Sequence, residues 1–218
     1  MSTRKKEVRR RFLPVLVRHV SFDGWSTRAL KHVARDLGEN FEVVRQAFPG
    51  GPMGMVGAFI KAADEDMVQA LAKQDLENLK IRERIALAVR QRIETVAPHR
   101  EAVRRGVVLH AVPFNTPHAL RSLYGTVDAI WVGIGDTSTD FNFYTKRALL
   151  AGVYSSTLLY WLGDQSDEFA DTWTFLDRRI EDVMRIQRAK GRVEGMTDRI
   201  GTLVNRGARF SPWRRRPA

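Results

Sequence analysis

A chain of 218 residues that is 44% hydrophobic and 28% charged holds enough apolar material for one generous core or two small ones. Without cysteine it can build neither a disulfide framework nor a cysteine-based metal or redox site. The net charge of +11 has the look of a nucleic-acid binder, but it lies at the ends: residues 1–20 hold seven basic residues against Glu7, residues 188–218 hold nine against Glu194 and Asp198, and the stretch between is acidic by two.

The ends are therefore basic arms suited to phosphate, whether of nucleic acid or of lipid headgroups, and the body is not a polyanion-binding surface. The opening MSTRKKEVRRRF lacks the apolar run of about 7–15 residues that a signal peptide needs, so it is expected to start a helix in a cytoplasmic protein.

The first helix is expected to run to His19. Gly24-Trp25-Ser26-Thr27 reads as a turn, with Thr27 capping a helix over residues 28–37 that Gly38 stops. A short helix over 41–48 follows, ended by Pro49-Gly50-Gly51-Pro52, and the pair has the dimensions of a helix-turn-helix. A DNA-reading second helix offers basic and amide side chains to bases and phosphates. Here Glu39 and Glu42 stand at its start and only Arg45 and Gln46 are candidate readers, which favours a structural helix-turn-helix and makes DNA an unlikely partner.

Residues 54–74 read as a linking helix. Residues 75–96 follow with Ile85, Val89, Ile93 and Val96 on one stripe, stopped by Pro98. Helices over 99–111 and 118–134 flank a break at Pro113 to Pro117. The polar loop 136–140 then leads into an apolar helix whose uncharged part, residues 148–163, is shorter than the about 20 residues of a membrane span. An amphipathic helix over 168–190 places Phe169, Trp173, Leu176, Ile180 and Met184 at helical spacing, and a last helix over 192–206 precedes a basic tail. Strand-like alternation is almost absent, so the fold class is all-α.

Catalytic chemistry is hard to find. His19, His32, His99, His110 and His118 are scattered along the chain without metal-ligand spacing, so no metal and no cofactor are expected. Ser155-Ser156-Thr157 lies in a core helix rather than a strand-to-helix elbow, and the carboxylates of residues 171–182 alternate with arginines as a solvated face does. What stands out is small residues (Ala148, Ala151, Gly152, Ser155 and Ser156) among large aromatics that include Trp131, Tyr154 and Trp173. Two readings stay open: a well-packed aromatic core, or an apolar ligand pocket lined by Trp131, Ala148, Ala151, Gly152, Tyr154, Ser155 and Trp173 beside an exposed aromatic patch.

Three stretches carry a resemblance: Gly135-Asp-Thr-Ser-Thr-Asp-Phe-Asn-Phe-Tyr-Thr-Lys-Arg147, Leu150-Ala-Gly-Val-Tyr-Ser-Ser-Thr157, and Asp164-Gln-Ser-Asp-Glu-Phe-Ala-Asp-Thr-Trp-Thr-Phe-Leu-Asp-Arg-Arg-Ile180. They resemble the family of the ninth Coq protein of ubiquinone biosynthesis. That resemblance implies a TetR-like fold: a helix-turn-helix module (1–52), a larger helical lipid-binding and dimerisation domain (53–190), and an amphipathic helix with a basic tail (191–218). It implies a homodimeric accessory protein, not an enzyme, that binds isoprenoid quinone lipid and associates with the di-iron demethoxyubiquinone hydroxylase.

Matched residue by residue, the family's hydroxylase patch falls on Asp140, Phe143 and Tyr144, with Ile130 and Ile134 upstream. Phe143 stands where the family carries tryptophan, which removes an indole N–H from that contact. The family's membrane-seeking helix falls on Met196, Ile200, Leu203 and Val204, with Trp213 beyond, and the arginines around them suit a peripheral position on the inner membrane. Packing against a dimer partner explains that stripe equally well. A lipid-responsive TetR-type transcriptional regulator is the alternative function.

Overall fold

In a computed structural model, residues 3–136 and 142–185 are described. The chain divides into two compact units, Met1–Leu176 and Asp177–Ala218. Every regular element among the described residues is helical: α1 (Thr3–Asp23), α2 (Thr27–Leu37), α3 (Phe41–Ala47), α4 (Gly51–Leu71), α5 (Ile81–Val96), α6 (Arg100–His110), α7 (Thr116–Gly133) and α8 (Asn142–Gly163). Short 3-10 turns precede α6 and α7, and residues 170–185 are helical again.

The helix ends follow local chemistry. Gly38 stops α2 in the left-handed conformation at φ 63°, returning its N–H to the last turn. The cap at the other end is Ser26, not Thr27: Ser26 is extended and its Oγ accepts from Ala29 N at 3.3 Å, while Thr27 already belongs to the helix. Asn40 caps α3 by accepting from Glu42 N at 2.8 Å. α5 begins at Ile81 rather than at residue 75, because Asp75 folds back on Glu77 N and Asn78 Nδ2, and Glu83 accepts from Lys80 N at 2.9 Å to open the helix there.

α1, α2 and α3 pack together through Phe12, Leu16, Val20, Leu30, Val33 and Val44, all buried, and Arg9 Nε donates to Ala47 O at 2.9 Å to hold the end of α3. α4 is the central helix and packs on α1, α5 and α7. Its entry is so tight that a Cβ on Gly54 would lie 1.8 Å from Pro49 O, so only glycine fits there. The expected stripe of α5 turns inward at Val89, Ile93 and Val96.

The C-terminal end of α8 is closed by cations from α6: Arg100 Nη2 donates to Trp161 O and Asp164 O, and Arg104 Nη2 to Leu162 O at 2.8 Å. Within the second unit, the described residues 177–185 carry Arg179–Asp182 and Arg185–Glu181 ion pairs at 2.7 and 2.9 Å.

Candidate functional site: an apolar cavity among five helices

Between α4, α5, α6, α7 and α8 lies a cavity of about 310 Å³. Its walls are apolar: Val56, Phe59 and Ile60 from α4, Val96 from α5, Val103 and Val107 from α6, Leu123 from α7, and Leu158 and Leu159 from α8. On α6 and α7 the wall also includes the small residues Ala102, Gly106, Ala119 and Ser122. Ala102 and Gly106, four apart, share one helix face.

The lining expected on α8 is only partly there. Tyr154 and Ser155 line the cavity, whereas Ala148 and Gly152 are solvent-exposed and Ala151 half-buried, on turns of α8 that precede it. Trp131 is buried elsewhere, its ring under Lys146 Nζ at 5.6 Å. Trp173 lies against Arg90, whose guanidinium is 4.9 Å from its ring, and donates to Glu168 O at 2.9 Å. The hydroxyls of Ser155, Ser156 and Thr157 all turn back onto carbonyls of their own helix, at 2.6 to 2.7 Å.

Polar groups are few and placed. Arg92, 2% exposed, reaches the cavity wall while its Nε donates to Asp64 Oδ1 at 2.7 Å; Thr126 Oγ1 donates to Asp64 Oδ2 at 3.2 Å. Burial pushes the Tyr154 hydroxyl above its ordinary value, so it stays protonated and able to donate. Burial, and secondarily His118, lowers the proton affinity of His110, which keeps it neutral. His110 Nε2 is buried on this wall without a hydrogen-bond partner. A neutral imidazole, a phenol and a guanidinium in an apolar chamber can hold a carbonyl or hydroxyl headgroup.

Next to the wall residues Ala111 and Ala119 in the chain, Val112, Phe114 and Leu120 are exposed, Phe114 at 93%. On the other side of Ile60 and Ser122 a broader cleft of about 690 Å³ is lined by Met53, Val68 and Ala129 together with the charged Lys6, Lys61, Glu65 and Arg121.

The expected partner patch separates into core and surface. Ile130 and Ile134 are fully buried, at 0% and 1% exposure. Val132 between them is exposed, as is Tyr144 at 73%. Arg147, buried on α8, clamps Asp128 of α7 at 2.6 Å. Asp140 and the Phe143 side chain lie outside the described residues, as do Met196, Ile200, Leu203, Val204 and Trp213.

In the helix-turn-helix, Glu42 takes up both candidate readers: Arg45 donates to it through Nε and Nη2 at 2.9 and 2.6 Å, and Gln46 Nε2 at 3.2 Å. Glu39 accepts from Arg11 at 2.7 Å. Among the described residues no helix is long and apolar enough to cross a membrane.

Residues 116–187 match the family model COQ9. The chain is 33% identical over 196 residues to the mitochondrial ubiquinone biosynthesis protein COQ9 of Drosophila melanogaster, covering 87% of this chain and 59% of that one. It is 31% identical over 189 residues to the mitochondrial protein of that name in Rattus norvegicus, covering 84% and 60%. The chain thus spans about three fifths of the length of these relatives. In fold it is similar to the crystal structure of a TetR transcriptional regulator from Nitrosomonas europaea, with a TM-score of 0.66 and 18% identity, over 80% of this chain and 97% of that one.

Proposed function

We propose that this chain, which is similar to the COQ9 proteins over most of its length, serves ubiquinone biosynthesis as a lipid-binding accessory factor without chemistry of its own. It takes an isoprenoid quinone intermediate from the membrane surface and presents the headgroup to the di-iron demethoxyubiquinone hydroxylase, as a homodimer lying on the inner membrane.

The apolar cavity carries this reading. At about 310 Å³ it stands at the lower end of small-molecule sites, about 300–1,000 Å³, so it holds a ring with its first isoprene units and leaves the remainder of a long tail outside. Each methylene buried recovers about 0.8 kcal/mol of the cost of leaving the bilayer, which keeps extraction reversible. His110 Nε2, Tyr154 and Arg92 are the groups that would meet quinone oxygens. The exposed apolar surface at Val112, Phe114 and Leu120 suits the portion of tail outside.

Mass spectrometry of lipid extracted from the purified protein is expected to find a quinone or isoprenoid lipid. Ser155→Trp, which fills the cavity from α8, is expected to cut the lipid recovered by more than about tenfold, with overpacking of about 1–3 kcal/mol as its cost in stability. A lipid-free native protein would overturn the reading.

For the partner surface, Tyr144 is the described residue to change. Tyr144→Ala is expected to weaken hydroxylase association by at least about tenfold, as loss of an aromatic anchor does. Its stability is expected to stay within about 0.5 kcal/mol, because the side chain is largely in solvent. Pull-down with the hydroxylase beside a thermal melt checks both. The regulator reading is disfavoured by Glu42, which occupies the side chains that would read DNA.

A further inference from the structure

Two histidine–aspartate pairs cross between α1 and α2. His19 and Asp23 stand one turn apart on α1, and His32 and Asp36 one turn apart on α2. The tight turn at residues 24–26 pairs the helices in opposite order: His19 Nε2 lies 2.6 Å from Asp36 Oδ2, and His32 Nδ1 lies 3.0 Å from Asp23 Oδ2. The two imidazoles meet edge to face with centroids 5.0 Å apart. One ligand atom from each of His19, Asp23 and His32 lies within 4.8 Å of the others, and Asp36 adjoins His19.

Two imidazole nitrogens and a carboxylate oxygen, with a second carboxylate beside one imidazole, are a donor set for zinc and its neighbours, harder than the thiolates that select copper(I) and softer than the all-oxygen shells of calcium or magnesium. A tetrahedral ion with bonds of about 2.0–2.2 Å spaces its ligand atoms roughly 3.3–3.6 Å apart, so His19, Asp23 and His32, whose ligand atoms lie within 4.8 Å of one another, close on it by small side-chain rotations.

The aspartates are already oriented. Each turns Oδ2 toward a histidine and Oδ1 toward an arginine, Arg28 Nε at 3.0 Å from Asp23 and Arg35 Nε at 3.8 Å from Asp36. Such outer partners fix ligand direction. Their charge opposes the ion in part, and the Asp23 carboxylate offsets it. His19, Asp23 and His32 are half-buried and Asp36 is exposed, which leaves the ion a path in.

We infer that His19, Asp23 and His32, with Asp36 beside His19, form a site for a divalent first-row transition ion of zinc's class that staples α1 to α2. This would rigidify the module that in the fold family's regulators handles DNA. It is independent of the lipid cavity.

The test is zinc titration of the full chain after chelator treatment, read by calorimetry and by the histidine ring signals in NMR. One ion per chain is expected, with the His19 and His32 rings shifting and those of His99, His110 and His118 unmoved. At about a hundredfold excess over Kd the melting temperature is expected to rise by roughly 5–10 °C. His32→Ala and His19→Ala are each expected to weaken binding by more than about 100-fold, beyond the usual cost of losing an outer-shell partner. No binding, equal binding in both variants, or shifts at the other three histidines would reduce the cluster to a pair of interhelix hydrogen bonds. If either variant fails to fold, the ring signals of the unaltered protein decide.

Discussion

Replacing Arg92 with alanine is expected to destabilise the protein by about 3–5 kcal/mol, because it leaves a buried carboxylate without its counter-ion. Arg92 is 2% exposed, with Asp64 on its Nε at 2.7 Å and Ile60 O on its Nη2 at 3.4 Å. In a chain of this length such a loss lowers the melting temperature by roughly 10 °C or more. Burial, the largest influence on Asp64, pushes its carboxyl above the ordinary 3.8 and outweighs the pull of Arg92 and Thr126. Burial is also the largest influence on Arg92 and works against its charge, but the acidic neighbours outweigh it.

Arginine stays protonated throughout, so Asp64 sets the pH response. A carboxyl raised in the folded state binds a proton that the unfolded chain releases, so its contribution is fully present below 3.8 and is lost as pH rises through the folded value. Without Arg92 that value moves further up. The deficit of Arg92→Ala is therefore expected to be larger at neutral pH than in mild acid, as urea unfolding at the two conditions would show. Arg92→Met combined with Asp64→Leu is expected to restore most of the stability, since apolar residues of similar volume often replace a buried pair without loss. If the double variant is as unstable as the single, the cost lies in packing and not in the orphaned charge.

Asp164→Asn is expected to cost about 2–4 kcal/mol through the donors it leaves unmet. Asp164 is buried where α8 ends, and one carboxylate serves two residues. Oδ1 accepts from Ser166 N and Oγ at 2.7 and 2.6 Å, and Oδ2 from Thr172 N and Oγ1 at 2.9 and 2.5 Å. Asparagine keeps the shape but turns an NH₂ toward donors on one side. Thr172 is itself fully buried, so its N–H finds no water instead. The loop between holds Glu168 and Phe169 at φ 48° and 59°, a conformation that costs non-glycine residues about 1–3 kcal/mol each and persists only when surroundings enforce it. Faster amide exchange over residues 165–172 is the local signature expected of the variant.

Asp164 also carries a pH dependence of opposite sign to that of Asp64. Burial is the largest single influence and raises its carboxyl, but the hydrogen bonds from Ser166 and Thr172 together overcome it and hold it at about 2. A carboxyl lowered in the folded state contributes stability above its unfolded value of 3.8 that is lost as pH falls toward 2. Acid unfolding between these limits is expected to be shallower in Asp164→Asn than in the unaltered protein.

Much of the helix layout is legible in the chain because the stop signals are local. Gly38 ends α2 through its own left-handed backbone, and Pro98 and Pro113 punctuate α5 and α6 wherever those helices pack. Where two local signals compete, the sequence is ambiguous. Residues 75–80 continue the polar pattern of α5, yet Asp75 satisfies two nearby donors as a turn, and the helix starts at Ile81. Ser26 and Thr27 are both capping residues, and only the extended backbone of Ser26 decides between them.

The amino-acid sequence by itself determined an all-α chain, its likeness to the COQ9 proteins, the acidic start of the short α3 and the concentration of positive charge at the ends. Composition and period are properties of neighbouring residues, and a helix needs only those. Which faces meet was decided by tertiary packing. The small residues that line the cavity are Ala102, Gly106, Ala119 and Ser122 on α6 and α7, while Ala148 and Gly152 of α8 face solvent. Ile130 and Ile134 went to the core and left Tyr144 at the surface. His19 and His32, thirteen residues apart and unpaired by any spacing rule, came to 5.0 Å because α1 and α2 fold back on one another. Cavities and ligand clusters are made by side chains from different helices, and nothing in one helix's period records which neighbour will cover it.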